Sequence, residues 1–208
     1  MPEQLSQRFP LFPLGIVALP GESVPLHIFE DRYRTMIEQC MEDEREFGIV
    51  WSSEKELKPI GCACQIEETL ERMDDGRLNI LARGTRPFRL VERQDDLPYP
   101  AGVVEFLGEH SEETDAVAAR TARELYGELV EQATDRRLEE DELEQLDAYG
   151  MAATVEFGSD AKQELLELRS ENARLRLLAL LLRAAIERLE LLERAQARAR
   201  SNGKIRFV

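Results

Sequence analysis

The stretch "VPLHIFEDRYRTMI", residues 24–37, contains a change from one hydrophobic pattern to another. Its first part is typical of a strand that ends before Glu30, and from residue 30 to 42 apolar side chains recur at helical spacing. These side chains are Tyr33, Met36, Ile37, Cys40 and Met41. Glu30 and Asp31 at the start of the segment favour the positive end of a helix dipole. The stretch therefore predicts the junction of a strand and a helix.

His27, inside this junction, has two interpretations. It lies three residues before the carboxylates Glu30 and Asp31, so it could be a general base that a carboxylate orients. A base also needs a nucleophile or a substrate pocket, and the sequence offers no serine or cysteine partner that we can assign. We interpret His27 as a structural residue of the junction, with a hydrolase that uses His27 as an alternative.

The first half of the chain is typical of short strands. Residues 9–20, "FPLFPLGIVALP", contain Pro10, Pro13 and Pro20, and this density of proline predicts an edge strand with bends. The turn signal "DDG" predicts a hairpin between two apolar runs. The predicted strand segments are 47–52, a hairpin over 60–83, 87–92 and 102–107. Short strands at this spacing predict a small barrel or folded sheet.

The second half changes to a helical period. From about residue 114 an apolar stripe is formed by Val117, Ala118, Thr121, Ala122, Leu125, Leu129 and Ala133. Asp160 is a predicted N-cap with Gln163 in the capping-box position, and Ser170 is the predicted cap of a helix that runs to about 199. Its leucine rows, which include Leu175 and Leu182, are predicted to be core. We therefore expect an α+β chain with a β-rich domain, 1–108, and a helical bundle, 109–208.

The charge is uneven along the chain and bears on the choice of partner. The whole chain has a net charge of −15. Residues 109–168 carry 5 Lys/Arg against 18 Asp/Glu, net −13, whereas residues 169–208 carry 10 against 4, net +6. An acidic chain argues against nucleic acid as the main partner, because phosphate binding needs a basic surface. The basic C-terminal segment is expected to pair with the acidic middle segment.

The cysteines and the missing motifs argue against a cofactor or a catalytic centre. Three cysteines do not form a disulfide framework, and Cys62 and Cys64 are two residues apart on a predicted strand. Cys40, His27 and His110 do not have ligand-like spacing, so we expect structural cysteines and no metal. No phosphate-binding loop, nucleophile elbow or zinc-protease motif is present. We expect no enzyme activity, no cofactor, no secretory signal, no membrane span and a cytoplasmic location.

Several blocks of the sequence resemble the Lon protease N-terminal domain, also called the Lon substrate-binding domain. The family pattern P-L-F-P-L, then L-F-P-G, then P-L-x-I-F-E-x-R-Y is matched by residues 10–14, 19–21 and 25–33. The family often has a hydrophobic residue followed by phenylalanine where Ala18 and Leu19 stand. The similarity covers about residues 10–178, and its first and third blocks are specific.

The resemblance implies a PUA-like β pseudobarrel followed by a helical bundle with one long helix. Lon protease continues into ATPase and peptidase domains, and this chain resembles the stand-alone Lon N-terminal proteins of bacteria instead. The implied function is the binding of unfolded or damaged polypeptide, as an adaptor or regulator of proteolysis, with a protease as a further possible partner. A PUA-like nucleic-acid-binding protein is the alternative, which the acidic charge opposes.

Seven residues are our candidates for the polypeptide-binding surface. The proline-broken first strands carry more apolar residues than a small barrel buries, so we expect an exposed aromatic patch rimmed by charge. Trp51 is expected to be partly core, with a recognition role as the second interpretation. The resemblance implies that the junction is scaffold, and we expect its exposed polar residues to form a recognition face because the apolar positions of the helix point the other way. The candidates are Phe9, Phe12, Trp51 and Phe106 for the patch, and Asp31, Arg32 and Thr35 for the charged face.

Overall fold

The computed structural model describes residues 4–53 and 56–202. The strands are β1 Gln4–Leu14, β2 Ser23–Ile28, β3 Phe47–Ser52, β4 Leu57–Arg72, β5 Leu78–Gln94 and β6 Ala101–Phe106. The helices are α1 Asp31–Glu42, α2 Ala116–Thr134, α3 Glu140–Glu144, α4 Ala148–Ala152, α5 Ser159–Glu167 and α6 Glu171–Asn202.

The strands form one mixed sheet that closes on itself. Their order is β2-β5-β4-β3-β1-β6, and β5 also pairs with β6, which closes five of the strands into a barrel and leaves β2 outside the closed ring. The β1–β3 pair is parallel, and the other pairs are antiparallel. The predicted α+β class is confirmed: a six-stranded sheet, five of whose strands close into a pseudobarrel, is followed by a helical region with one long helix.

The prediction that β1 is an edge strand is wrong, since β1 lies between β3 and β6. Residues 4–10 pair with β6, and residues 11–14 pair with β3. Each half of β1 therefore pairs with one neighbouring strand, and the partner changes from β6 to β3 after Pro10. A proline is tolerated there because its ring nitrogen can point away from the single ladder beside it.

The hairpin in the structure is longer than the one that the sequence predicted. The turn is as expected, with Gly76 at φ 86° and the Met73 amide donating to the Arg77 carbonyl at 2.9 Å. The predicted separate strand 87–92 is instead the second half of β5. Shifts of register bend the hairpin, so that β5 pairs with β2, β4 and β6 in turn.

The helix predicted from the opening stretch is confirmed as α1. It begins at Asp31 and ends at Glu42, and no side chain caps its first turn. The face that it buries in the core is formed by the predicted apolar residues Tyr33, Met36, Ile37 and Cys40. Because this face points inward, the charged residues of the first turn lie on the surface.

The first helix of the second half buries a stripe close to the predicted one. Asp115 caps α2, since its carboxylate accepts from the Val117 and Ala118 amides at 3.1 Å. Ala118, Ala122 and Leu129 are buried as expected, and Tyr126 joins them. Val117 is 62 % exposed, so its place in the predicted stripe is wrong.

The predicted capping box at Asp160 is wrong. Gly158, at φ 80° and ψ 162°, precedes α5, and no side chain caps the helix. Gln163 is buried and donates from Nε2 to the Ile60 carbonyl at 3.1 Å, which fixes α5 on strand β4. Lys162 pairs with Glu22 at 2.6 Å beside it. Gln163, which the local rule assigns to a capping box, thus makes a tertiary contact of α5 with the barrel instead.

The long helix α6 begins as predicted, because the Ser170 hydroxyl accepts from the Ala173 amide at 3.0 Å. Its buried residues include Leu175 and Leu182, as expected. Arg176 pairs with Asp115 at 2.6 Å, which confirms pairing between the basic and acidic segments within the described residues. The last six residues of the basic segment lie outside the described part. No helix in the described ranges has the length and apolar character of a bilayer span.

The core is continuous from the barrel to the helices. One cluster of buried residues extends from Phe12 in β1 to Ile186 in α6, and it includes α1, α4 and α5. A smaller, separate cluster of buried residues contains Phe9 and Phe88. The division into domains 1–108 and 109–208 stays a prediction, and its test is whether 1–108 unfolds cooperatively by itself.

Candidate functional site

Two of the predicted aromatic contacts are buried, which corrects their assignment to an exposed patch. Phe9 is 4 % exposed and packs edge-on against Phe88 and Phe106, with ring centroids 5.5 Å apart in both pairs. Phe12 is 5 % exposed and lies 4.3 Å from the Tyr33 ring of α1. The closed sheet and α1 cover these side chains, which the sequence left on a proline-broken strand.

The other two predicted aromatics are half-buried and lie on different strands. Phe106 is covered by Arg86, whose guanidinium carbon is 3.7 Å from the ring centroid. Trp51, near the end of β3, has the Lys58 ammonium 6.0 Å from its ring. Phe106 packs in the smaller cluster and Trp51 against the larger one, so the four candidates do not form one patch.

The predicted charged face exists at the start of α1, but its groups bind one another. Arg32 pairs with Glu30 at 2.8 Å and lies over the Tyr33 ring at 4.6 Å. Asp31 pairs with Arg34. The Thr35 hydroxyl donates to the Asp31 carbonyl at 3.0 Å. These residues are solvated rather than brought together with the aromatic candidates, and their role in recognition stays a prediction.

A group of exposed side chains that includes an aromatic ring lies on the outer face of β2 and just after it. Val24, Leu26 and Ile28 are buried, so the alternate residues Pro25 and His27 point outward. Phe29 continues this alternation and is 60 % exposed. Its ring stacks on His27 with centroids 5.7 Å apart. The sequence analysis missed Phe29, although the alternation from Val24 to Ile28 is the signal that predicts its outward orientation.

A leucine of β4 extends this surface. Leu70 is 51 % exposed and lies where the β4–β5 register shifts between Thr69 and Glu71. Such a bulge changes the direction of a side chain without ending the strand. A depression of about 520 Å³ is lined by Pro25, Leu26, His27, Leu70, Glu71, Asn79 and Ile80. We call Pro25, His27, Phe29, Leu70, Glu71 and Asn79 the β2 surface.

Three polar side chains cross the β2 surface in one row. His27 lies opposite Asn79, and Asn79 lies opposite Glu71. Asn79 Nδ2 donates to Glu71 Oε2 at 2.9 Å, so its Oδ1 is left to accept from His27 Nδ1 at 2.6 Å. This chain of bonds places the hydrogen of a neutral His27 on Nδ1 and leaves Nε2 as an acceptor.

The side-chain hydrogen-bond partner of His27 in this row is Asn79. Within residues 4–53 and 56–202 no serine, threonine or cysteine side chain hydrogen-bonds to His27. The same described ranges contain no group of three or more His, Cys, Asp or Glu side chains placed to hold a metal ion. Aromatic, aliphatic and amide groups on an open surface are instead suited to binding.

Comparison with known proteins gives the family. The model of the ATP-dependent protease La (LON) substrate-binding domain matches residues 8–184, which is most of the chain. The chain belongs to this family. The predicted resemblance is therefore confirmed, and the β2 surface is a feature of a Lon substrate-binding domain.

Full-length relatives and solved domains agree with this assignment. Lon proteases from Paraburkholderia phytofirmans and Anaeromyxobacter dehalogenans are each 25 % identical to this Lon substrate-binding domain, over 73 % and 91 % of the chain. The chain spans about a quarter or less of those relatives, 21 % and 24 %. A Lon N-terminal domain protein from Xanthomonas campestris has 25 % identity and a TM-score of 0.65, over 82 % of this chain and 95 % of that one.

A second solved structure supports the fold alone. The N-terminal domain of a Mycobacterium avium complex Lon protease is 20 % identical, with a TM-score of 0.65 over 86 % of this chain and 98 % of that one. The similarity extends across both the barrel and the helical region, since each structure covers more than four fifths of the chain.

The helical part of this Lon substrate-binding domain has an apolar groove of its own. The groove has a volume of about 710 Å³ and lies between α2 and the second half of α6. Tyr126, Leu129 and Leu189 contribute to its walls, and Leu192 at its rim is 53 % exposed. The groove lacks the aromatic stack and the strand backbone of the β2 surface. It is the alternative location for a binding site.

The cysteines of the domain are buried and unpaired. Burial raises the pKa of Cys40 to about 11, and burial also raises the pKa of Cys62, which lies against Cys64. Reactive thiols are accessible and have a lowered pKa, so these three are structural in character. Because the pKa of Cys40 is higher in the folded state, its stabilising effect is present below about pH 9 and declines as the pH rises toward 11.

We predict that none of the described thiols reacts with Ellman's reagent at pH 8 in the folded protein. All three thiols are buried, which keeps the reagent away, and the raised pKa of Cys40 and of Cys62 also keeps their thiolate fraction small. In denaturing urea all three should react at the rate of free cysteine. A thiol that reacts at that rate without urea would contradict the buried assignment.

Proposed function

We propose that this Lon substrate-binding domain is a non-catalytic module that binds unfolded polypeptide segments through the β2 surface. The observation that carries the proposal is the exposed Phe29–His27 stack beside Leu70, on a barrel whose other aromatic candidates are buried or covered. Exposed aromatic and aliphatic side chains next to polar partners are typical of binding surfaces. The family match to a substrate-binding domain agrees with this function.

A role in proteolysis and a cytoplasmic location are part of the proposal. The relatives are Lon proteases, so a protease or the polypeptides that it degrades are the proposed partners, with this chain as an adaptor or regulator. Three free cysteines fit a reducing compartment. Nucleic acid is not a proposed partner, because the net charge of −15 opposes phosphate binding.

We predict micromolar binding of an unfolded protein. The probe is fluorescent lysozyme that has been reduced and carbamidomethylated, which keeps it unfolded and cationic, and binding is measured by fluorescence anisotropy. A transient module must release its client, so a Kd on the order of 1 to 10 μM, about −7 to −8 kcal/mol, is expected. Replacing both Phe29 and Leu70 by alanine should weaken binding roughly tenfold, since aromatic anchors dominate such surfaces.

This experiment has three controls. Val91, which is 56 % exposed on the second half of β5, is the matched apolar control, and Val91→Ala should bind as the parent protein does. Leu192→Ala tests the helical groove: if it weakens binding and the Phe29 and Leu70 change does not, the β2 surface is the wrong location. A labelled RNA oligonucleotide that binds more tightly than the unfolded protein, with strong salt dependence, would favour the nucleic-acid alternative.

A further inference from the structure

Strand β2 has one open edge. It pairs with β5 along its whole length, from Ser23 opposite Arg83 to Ile28 opposite Leu78, and it is the end strand of the sheet. Within the described ranges no backbone hydrogen bond reaches residues 23–28 from any other element. The closing contact of the barrel is made by β5 and β6, so it leaves this edge unpaired.

The register shows which backbone groups lie on that edge. The Gly84 amide donates to the Glu22 carbonyl at 2.9 Å, so Glu22 faces β5. Backbone groups alternate between the two sides of a strand, and Val24, Leu26 and Ile28 therefore face β5 as well. The N–H and C=O groups of Ser23 and His27, and the C=O of Pro25, point to the open side.

Pro25 fits this assignment independently. Proline has no N–H to donate, and in a strand it is accommodated where its nitrogen points away from the neighbouring ladder. Pro25 lies opposite Leu81 in an unbroken register. The open edge thus offers the amide donors of Ser23 and His27 on either side of Pro25, which has only a carbonyl acceptor. All three residues are exposed.

We infer that an extended segment of unfolded polypeptide binds as an added strand along the open edge of β2. This inference rests on the proposed function and specifies how the client is held. Carbonyls of the segment accept from the His27 and Ser23 amides, and its amides donate to the free carbonyls of β2. Main-chain bonds of this kind recognise any sequence, as a module that binds unfolded chains requires.

The outer face next to the edge adds a preference for side chains. Alternate residues of the added strand lie beside Pro25, His27 and Phe29, which suits apolar groups. Glu71, which reaches His27 through Asn79, has no cation within ion-pair distance among the described residues. Together with the net charge of −15, this carboxylate favours Lys or Arg in the bound segment. The ligand class is an extended, apolar and basic polypeptide segment.

The missing donor at Pro25 limits the strength of this mode. An uninterrupted edge pairs indiscriminately and promotes aggregation, and proline on an edge strand reduces that tendency. Only short pairing on each side of Pro25 is available. The edge is therefore suited to reversible binding of a few residues.

The test compares two substitutions at one position. His27→Pro removes the outward amide and the imidazole, whereas His27→Ala removes the imidazole alone. Since the His27 amide faces away from β5, both variants should keep the ladder and the urea midpoint. With the same unfolded lysozyme as the probe, His27→Pro should bind about 3- to 10-fold more weakly than His27→Ala, the effect of one lost hydrogen bond.

A second measurement does not depend on a variant. Hydrogen exchange of the Ser23 and His27 amides in the unmodified full chain should slow when unfolded lysozyme is added, while the amide of Val91 serves as a distant reference. Lysozyme whose lysines have been acetylated should bind more weakly than the unacetylated chain. Glu71→Gln should reduce that difference.

The outcomes separate this inference from the proposed function. If the parent protein does not bind at about 100 μM, the proposed function fails. Suppose instead that the parent protein binds and that the Phe29 and Leu70 change weakens binding. If His27→Pro then binds as tightly as His27→Ala, and the Ser23 and His27 amides exchange as before, strand addition is overturned, while binding through the β2 surface is retained. Equal binding of acetylated and unacetylated lysozyme overturns the basic preference alone.

Discussion

Replacing Arg174 by alanine should lower the free energy of unfolding by about 3 to 5 kcal/mol. Arg174 is 1 % exposed, the most buried charge among the described residues. Its guanidinium donates to the Leu168 carbonyl at 2.9 Å and to Glu171 at 2.8 Å, and it also pairs with Glu109. It lies 4.3 Å from the Tyr149 ring, whose pKa burial raises to about 12.

The large effect follows from what the substitution leaves behind. Alanine would leave the Leu168 carbonyl and Glu171 Oε2 without the Arg174 donor in a partly buried place, which costs more than the bonds were worth. It would also open a cavity beside Tyr149. Glu109, which follows the barrel, would lose its ion pair with α6.

Arg176 is the matched control for this prediction. It lies two residues further along the same helix, and its ion pair with Asp115 is on the surface, with the arginine side chain 61 % exposed. Surface pairs contribute about 0 to 1 kcal/mol, so Arg176→Ala should shift the urea midpoint little. Equal midpoints for the two variants would show that the Arg174 network does not hold the fold together.

Replacing Leu182 by alanine should cost about 2 to 5 kcal/mol. Leu182 is fully buried where α6 packs against the rest of the core. The loss combines the transfer of a leucine side chain from water with the cavity that it leaves. For a chain of this size the melting temperature should fall by roughly 4 to 20 °C.

Leu180 provides the control on the same helix. It is 65 % exposed, so Leu180→Ala should change the free energy of unfolding by less than about 0.5 kcal/mol. The two variants remove the same atoms two positions apart, and only burial distinguishes them. Similar destabilisation by both would mean that the exposed side of α6 is covered in solution, for instance by another chain.

The sequence by itself determined the features that depend on neighbours along the chain. The helical period of Tyr33, Met36, Ile37 and Cys40 predicted α1 and its buried face. The Ser170 cap predicted the start of α6, and the turn at Gly76 predicted the hairpin. These signals are local, because side chains three and four residues apart share a helix face whatever the rest of the fold does.

Motifs that resemble a family carried the prediction further than periodicity did. Short apolar runs with prolines are compatible with several all-β arrangements, and the matched blocks at residues 10–33 selected one of them. The family match over residues 8–184 confirmed that choice. The resemblance did not locate the binding surface, because a shared fold does not determine which side chains are exposed in a particular member.

Only the tertiary structure decided which strands are neighbours and what they leave open. Phe9 and Phe12 are buried because residues far away in sequence cover them, and Gln163 binds the Ile60 carbonyl instead of capping its own helix. The open edge of β2 exists because β6 closes the sheet on β5. Strand pairing joins residues separated by most of a domain, and no local pattern encodes that partner, so the edge became visible only once the sheet was assembled.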